Sequence, residues 1–452
     1  MAAGALEAAA VAATEAPLTG GERPIGSALA MAACALLGHM ATAAAAEESS
    51  PWTVDSALLL YKEGDSRVQD SSVIISATRD FGDERRLGLN FTADTLTGAS
   101  PSGAIALGRP QTFTSPSGKA TYSTPAESIP LDDTFKDTRF AANASWTQPL
   151  ARLYTVSGGL GVSSEYDYRH LGANLSLARD FNKRNTTLSG GVAYSGDQID
   201  PVGGAPVPLS QMLDVGLNTN KAGSGSKDVL DLLVGATQVI GRSTVMRFNY
   251  SFSRASGYLN DPYKFLSVVD PTTGNTIAHT PAVGRTGPDG VFLFESRPDS
   301  RTKQSAYVEW KHAFGRPVLE LSYRYMTDDW NIASHTLEGR LRWPLGASSY
   351  LEPHLRYYTQ TAASFYRSSL PLGQALPTYA SADYRLGDFD GITLGMKYGY
   401  GTASGGEWSG RLEYYQQNGR IPATMLIGDQ SSREQYPGLK AVILQLGYRF
   451  SL

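Results

Sequence analysis

An all-β fold, a closed antiparallel transmembrane barrel, is what this sequence predicts. Three observations predict it: period-two alternation of apolar with small or polar residues beyond residue 50, turns that alternate short and long, and no sustained helical periodicity over the same span. Composition agrees with a wall that is apolar on one face only. The 452-residue chain is 41% hydrophobic with a mean hydropathy of -0.23, yet carries 24 Tyr, 15 Phe and 47 Gly. A formal net charge of -4 and a pI near 5.9 leave no basic footprint for nucleic acid.

The N-terminus predicts export. The apolar run from Ile25 through Leu29, Leu36 and Leu37 to Met40 is shorter than the ~20 residues that span a bilayer. With Arg23 before it and the Ala43-Ala44-Ala45-Ala46 tract after it, the run reads as a signal peptide cut after Ala46. That divides the chain into a signal peptide over residues 1–46, with an atypical acidic, Ala-rich preface from Met1 to Gly21, and a single barrel domain over residues 47–452. Met31-Ala32-Ala33-Cys34 resembles a lipoprotein box, but too little apolar sequence precedes it. Because Cys34 is the only cysteine, the exported chain has no thiol for disulfides or for a cysteine-based metal site.

Strand faces follow from the alternation. Leu87, Leu89 and Phe91 alternate with Gly88, Asn90 and Thr92, and Met246, Phe248, Tyr250 and Phe252 with Arg247, Asn249 and Ser251. Aromatics at strand ends, namely Trp52, Tyr61, Trp146, Phe181, Tyr250, Trp310, Phe314, Trp343 and Phe450, read as membrane-interface girdles. The tight turns include 80–84, 148–151, 181–185, 240–243, 315–317 and 344–347, the periplasmic set. The long loops 96–133, 200–227, 258–301, 361–378 and 418–439 form the extracellular set. The segment Ala380 to Tyr400 reads as one uninterrupted strand, because its apolar residues keep parity across Gly387 and Gly391. The total is then about 16, with 14 and 18 as the neighbouring even counts, and both termini lie in the periplasm. The last strand sets Val442, Leu444, Leu446, Tyr448 and Phe450 on one face. This row resembles the C-terminal signal read by the barrel-insertion machinery, although Ser451 and Leu452 follow the aromatic. Outer-membrane lipids and that machinery are the expected partners, and the bacterial outer membrane the expected location.

A resemblance adds to this reading. The run from Asp94 to Ala104, with Thr97, Gly98, Ala99, Ser100 and Pro101 at its centre, is similar to the signature of an uncharacterised family of Gram-negative outer-membrane β-barrel proteins, a domain of unknown function. The blocks Ser164 to Tyr168, Arg179 to Asn182, Asp328 to Ile332, Arg356 to Gln360 and Ala382 to Leu386 agree with it. The resemblance implies a barrel and a compartment, and no substrate. By residue type, Gly98 and Gly103 allow unusual backbone angles and Pro101 stiffens the segment. This suits either a loop that folds into the lumen or a rigid hairpin start.

Charge placement gives the candidate functional surface. If Val308, Trp310, Leu321, Tyr323, Leu341, Trp343, Leu355 and Tyr357 face lipid, then Glu309, Lys311, Glu320, Arg324, Glu338, Arg340, Arg342, Glu352 and Arg356 line the lumen. The reverse assignment would cost about 2–4 kcal/mol for each Arg or Lys at mid-bilayer. Hairpin registry then sets Lys311 beside Glu320, Glu320 beside Arg340, Arg342 beside Glu352, and Glu338 beside Arg356. Two rim groups, Asp328/Asp329/His335 and Glu165/Asp167/His170, have residue types that could activate water, but turn and strand roles account for them as well. The 6 His include no pair at metal-ligand spacing. No catalytic residue, metal or cofactor is expected. The leading expectation is a passive channel or transporter, then a structural or accessory component with periplasmic or lipoprotein partners, then a rim enzyme. A 22-stranded importer with a plug domain does not fit, because Glu47 to Trp52 leaves no room for the plug.

Overall fold

The computed structural model describes residues 52–65 and 67–452. The expected signal peptide over residues 1–46 and its cleavage site lie outside the described residues. Sixteen antiparallel strands close into one barrel. The first eight are β1 (Thr53–Glu63), β2 (Gln69–Asp80), β3 (Arg86–Pro101), β6 (Leu131–Ala151), β7 (Tyr154–Ser164), β8 (Tyr168–Phe181), β9 (Thr186–Ile199) and β10 (Gly225–Val239). The second eight are β11 (Thr244–Gly257), β14 (Ser300–Ala313), β15 (Val318–Asp328), β16 (Ala333–Pro344), β17 (Ser349–Gln360), β19 (Asp388–Gly401), β20 (Glu407–Arg420) and β21 (Leu439–Ser451). Five short strands sit in the loops: β4 (Gln111–Thr114) pairs with β5 (Thr121–Thr124), and β12 (Phe265–Val269) lies between β13 (Phe292–Phe294) and β18 (Leu370–Pro371).

Closure is made by β1 against β21, from Thr53 opposite Ser451 to Glu63 opposite Ala441. It removes the sheet edges, whose unpaired backbone groups would cost several kcal/mol each in hydrocarbon. Alternation decides the faces. In β8, Leu171 and Leu175 are 62% and 56% exposed, whereas His170 and Asn174 are 6% and 8% exposed. The wall therefore presents its leucines outward and its polar groups inward, as a membrane-spanning barrel requires. Phe450 ends the outward row of β21 and stacks on Tyr448, whose ring centroid is 5.4 Å away, and Tyr448 stacks on Trp408 at 4.3 Å.

Two sequence expectations need correction. Tyr61 is not an interface aromatic: it faces inward opposite Asp70 and Ile443, is buried, and donates its hydroxyl to Glu63 at 2.9 Å. Ala380 to Tyr400 is not one strand. β19 starts only at Asp388, and Tyr384–Leu386 forms a 3-10 turn in which the Arg385 N–H is capped by the Asp383 carboxylate. Ala380, Tyr384 and Leu386 keep strand parity because they fill a different core, the one inside the loops. The even total survives, since the segment supplies one barrel strand in either case.

The long loops share one end of the barrel and fold together into a cap. Phe113, Phe265 and Phe292 meet with ring centroids 4.8–5.5 Å apart, and Leu266, Val268, Leu293, Leu370 and Ala380 form an adjoining apolar cluster. Trp330 packs edge-on against Phe365 at 5.1 Å. Burying side chains of this size contributes about 1.5–3 kcal/mol each, so the cap holds its shape by a core of its own. Backbone pairing ties separate loops together, Gln211 with Leu293 and Ser296 with Ala380.

Candidate functional site

The inner wall of β14 to β17 carries the charged residues expected of a lumen. Register sets Arg247 opposite Glu309, Lys311 opposite Glu320, Glu320 opposite Arg340, Arg324 opposite Tyr307, and Glu338 opposite Arg356. Their outward neighbours are the exposed Leu321, Tyr323, Leu337 and Leu355. Lys311 reaches Glu320 at 3.0 Å. Arg340, opposite Glu320 in the register, also pairs within its own strand, with Glu338 at 2.6 Å. The registers on either side would bring Arg342 opposite Glu352, but the β16–β17 ladder is interrupted next to Pro353, which has no N–H to donate. Arg342 lies instead over the Tyr350 ring, 3.7 Å from its centroid, and comes within 4.0 Å of Glu407. His354, from the middle of β17, bridges two strands, with Nδ1 2.9 Å from Glu413 and Nε2 3.1 Å from Glu338.

Exposure changes along the wall. Near the short turns, the Arg342 and Lys311 side chains are 49% and 43% exposed. At the other end Asp70, Asp94, Asp197, Lys227, Arg301 and Gln360 are all buried under the loops. There Arg139 pairs with Asp94 at 2.7 Å, and Asp197 bridges His170 at 2.7 Å and Lys227 at 3.3 Å. The lumen is thus a cup, wet at the short-turn end and closed at the loop end.

What closes it is a polar lock beside the apolar core of the cap. Asp383, fully buried, accepts from Arg297 at 2.7 Å and from Arg385 Nε at 2.9 Å; Arg385 reaches Asp261 at 2.6 Å and Arg297 reaches Glu295 at 2.6 Å. Burial opposes the charge on Asp383, but the Arg385 and Arg297 guanidiniums outweigh it and hold its carboxyl below the usual range. Burial pushes the Glu295 carboxyl up to about 7; Arg297 opposes this, while Asp261 and Asp383 add to it. Lys264, whose ammonium is shifted down by burial, anchors the lock to the barrel through the Pro101 carbonyl and, at 3.4 Å, the Ser100 hydroxyl.

The glycine-containing segment at the end of β3 is built for this contact. Gly98 and Gly103 have φ of +126° and +99°. A Cβ on Gly98 would come within 2.4 Å of the Arg67 carbonyl oxygen, and one on Gly103 within 2.5 Å of that of Phe265. Thr97 still pairs with Lys136, a bulge falls between Gly98 and Ser100, and Ala99, Ser100 and Pro101 are buried. The segment therefore begins a hairpin and docks the cap at once.

Neither rim group converges. Asp328 binds Arg301 at 2.7 Å and accepts from the Trp330 and Ile332 N–H groups, Asp329 accepts from Thr302 N–H at 3.0 Å, and His335 turns outward to Tyr323 at 2.7 Å. In the second group His170 leaves for Asp197. Glu165 and Asp167 instead meet Asp137, a residue the sequence reading did not single out, with carboxylate oxygens within 4.8 Å of one another. Asp167 also accepts from the Tyr263 hydroxyl. Strand parity could have put Asp137 on the inner face, but its meeting with Glu165 depends on the β6–β7 register.

No curated protein matches the chain in sequence. Solved structures resemble it in form. CdiB from Acinetobacter baumannii is 12% identical with a TM-score of 0.42, over 88% of this chain and 60% of CdiB. The siderophore receptor PirA from the same organism is 9% identical at 0.40, over 82% of this chain and 54% of the receptor. OccK2 (OpdF) from Pseudomonas aeruginosa, solved in complex with glucuronate, is 10% identical at 0.40, over 90% of this chain and all of that one. The chain thus spans little more than half the length of the receptor it resembles. The family described as a protein of unknown function (DUF3570) matches residues 26–450, and the chain belongs to that family.

Proposed function

We propose that this protein is a gated passive channel or transporter of the bacterial outer membrane, inserted by the barrel-assembly machinery through its last strand ending at Phe450. The observation that carries the reading is the combination of a charged inner wall, open to water near the short turns, with a cap that has its own core. A scaffold gains nothing from charges that face an internal cup, whereas a solute pathway is shaped by the field they set up. The exposed Lys311–Glu320 pair adds only about 0–1 kcal/mol to stability. The short turns are assigned to the periplasm and the cap to the outside. The second reading is a structural or accessory component, which the closed cap favours.

Replacing two wall cations tests the first reading. Arg340→Glu with Arg342→Glu should leave a heat-modifiable, folded barrel and move the reversal potential in a salt gradient toward cation selectivity. A folded double variant with unchanged selectivity, or a wild type that gives no current steps, would favour the accessory role.

A further inference from the structure

The tripeptide Arg-Asp-Phe occurs twice, as Arg79-Asp80-Phe81 at the end of β2 and as Arg179-Asp180-Phe181 at the end of β8, each time running into a short turn. Both copies fold alike. Alternation puts each arginine on the outward row, Arg79 in line with Val73 and Ile75, and Arg179 in line with Leu171, Leu175 and Leu177. Each guanidinium lies over the phenylalanine of its own motif, 5.0 Å from the Phe81 centroid and 4.6 Å from that of Phe181. A second aromatic comes from the preceding strand: Trp52, next to β1, at 5.9 Å from Arg79, and Tyr154, opposite Arg179 in the ladder, at 5.0 Å.

The carboxylates around the motifs are engaged on the other face or in the turns. Asp80 pairs with Arg86, which faces it across the ladder, at 3.3 Å. Asp180 accepts from the Thr187 hydroxyl at 2.7 Å and lies 3.6 Å from Arg184. Asp83 pairs with Arg85 at 2.6 Å and Glu84 with Arg184 at 2.7 Å. On the following strands the ladder neighbours of Arg79 and Arg179 are Leu87 and Leu188. Among the described residues neither arginine makes an ion pair.

A cation on the lipid-facing row is tolerated near the interface and not at mid-bilayer, and aromatic belts sit at headgroup level. The two arginines therefore mark headgroup depth on the short-turn side. From Arg79 the outward surface continues into an apolar groove of about 420 Å³, lined by Ala77, Ile75, Leu89, Phe91, Ala142 and Leu160. Ala77 is the next outward residue of β2, and Leu89 the next outward residue after Leu87 on β3.

We propose that Arg79, with Phe81, Trp52 and the groove beside them, binds an anionic phospholipid of the leaflet on the short-turn side, and that Arg179, with Phe181 and Tyr154, holds a second headgroup in the same way. A guanidinium stacked on a ring keeps its N–H edge to donate, and that edge matches a phosphate bidentately. The groove takes an acyl chain, which a soluble anion does not have. The sites depend on the barrel's place in a membrane and not on conduction.

Native mass spectrometry of folded, full-length protein released from detergent tests this, with phosphatidylglycerol, phosphatidylcholine and sn-glycerol 3-phosphate titrated separately. Two phosphatidylglycerol molecules should be retained, about fivefold or more tightly than phosphatidylcholine. Arg79→Gln with Arg179→Gln should abolish that preference. Arg242→Gln, which removes a cation from a short turn without the motif, should leave it unchanged. Should the double variant lose its heat-modifiable form, Arg179→Gln alone should lower the number of tightly held lipids from two to one. Equal retention of the two lipids, a preference that survives the arginine substitutions, or an equal loss in Arg242→Gln overturns the proposal. Binding of sn-glycerol 3-phosphate as tight as that of phosphatidylglycerol overturns it too, in favour of a soluble anion.

Discussion

Asp383→Ala should loosen the loop end of the barrel while leaving the barrel folded. Asp383 is the acceptor common to Arg297 and Arg385, and it also accepts from the Arg385 backbone N–H at 3.1 Å. Removing it leaves two fully buried guanidiniums short of a partner, a type of loss that costs about 3–5 kcal/mol. The strands do not depend on that contact, so heat-modifiability should persist while limited proteolysis begins to cut within residues 258–300 and 361–387. Equal protease resistance in variant and wild type would show that the apolar core alone holds the cap. The pH dependence has a definite sign. The Asp383 carboxyl is held below its unfolded value of about 3.9, so its contribution is present at neutral pH and is lost only as pH falls through the lower, folded value. Glu295 acts in the opposite sense. Its carboxyl is pushed up to about 7, so the folded cap holds a proton that the unfolded loop gives up, and this contribution fades as pH rises from about 4.3 through that value. Protease resistance of the wild-type cap should therefore decline between pH 5 and pH 8.

Gly103→Val should open the same cap from the barrel side. At φ +99° a β-branched residue is strained, at about 1–3 kcal/mol, and its Cβ would sit 2.5 Å from the Phe265 carbonyl oxygen and 3.3 Å from the Ala382 Cβ. Phe265 begins β12 and packs against Phe113 and Phe292, so the displacement is transmitted to the aromatic core. The expected outcome is protease sensitivity like that of Asp383→Ala, again in a folded barrel. A Gly103→Val protein that resists protease like the wild type would mean that the β3 extension does not support the cap.

The barrel was legible because each wall residue answers to one simple rule. Leu171 and Leu175 point outward and His170 and Asn174 inward, and a period of two in the sequence says so. The rule loses force where both faces are apolar. Leu58-Leu59-Leu60-Tyr61 does not alternate, since Leu59 and Tyr61 fill the inner face under the cap, and strand-end position alone misassigned Tyr61 to the membrane interface. The charged wall of β14 to β17 could be read as a face, and the Lys311–Glu320 pair from register, but not every pair could: Arg342, expected beside Glu352, lies over the Tyr350 ring. The cap went unread although a signal was present. Phe265-Leu266 and Val291-Phe292-Leu293-Phe294 are continuous apolar runs inside a long loop, the pattern of buried strands, and they are β12 and β13. Its polar lock had no such signal, because Asp261, Arg297 and Asp383 come from two separate loops and meet only once both have folded.

A gated cup makes its sharpest statement in current. Single-channel recording of wild type beside Asp383→Ala, reconstituted in planar bilayers at the same salt and pH, tests it most directly. The wild type should dwell mainly in closed or low-conductance states, and Asp383→Ala should show larger steps that stay open longer. Steps of equal size and lifetime in the two proteins, or silence in both, would contradict a lumen that conducts and is closed by its loops.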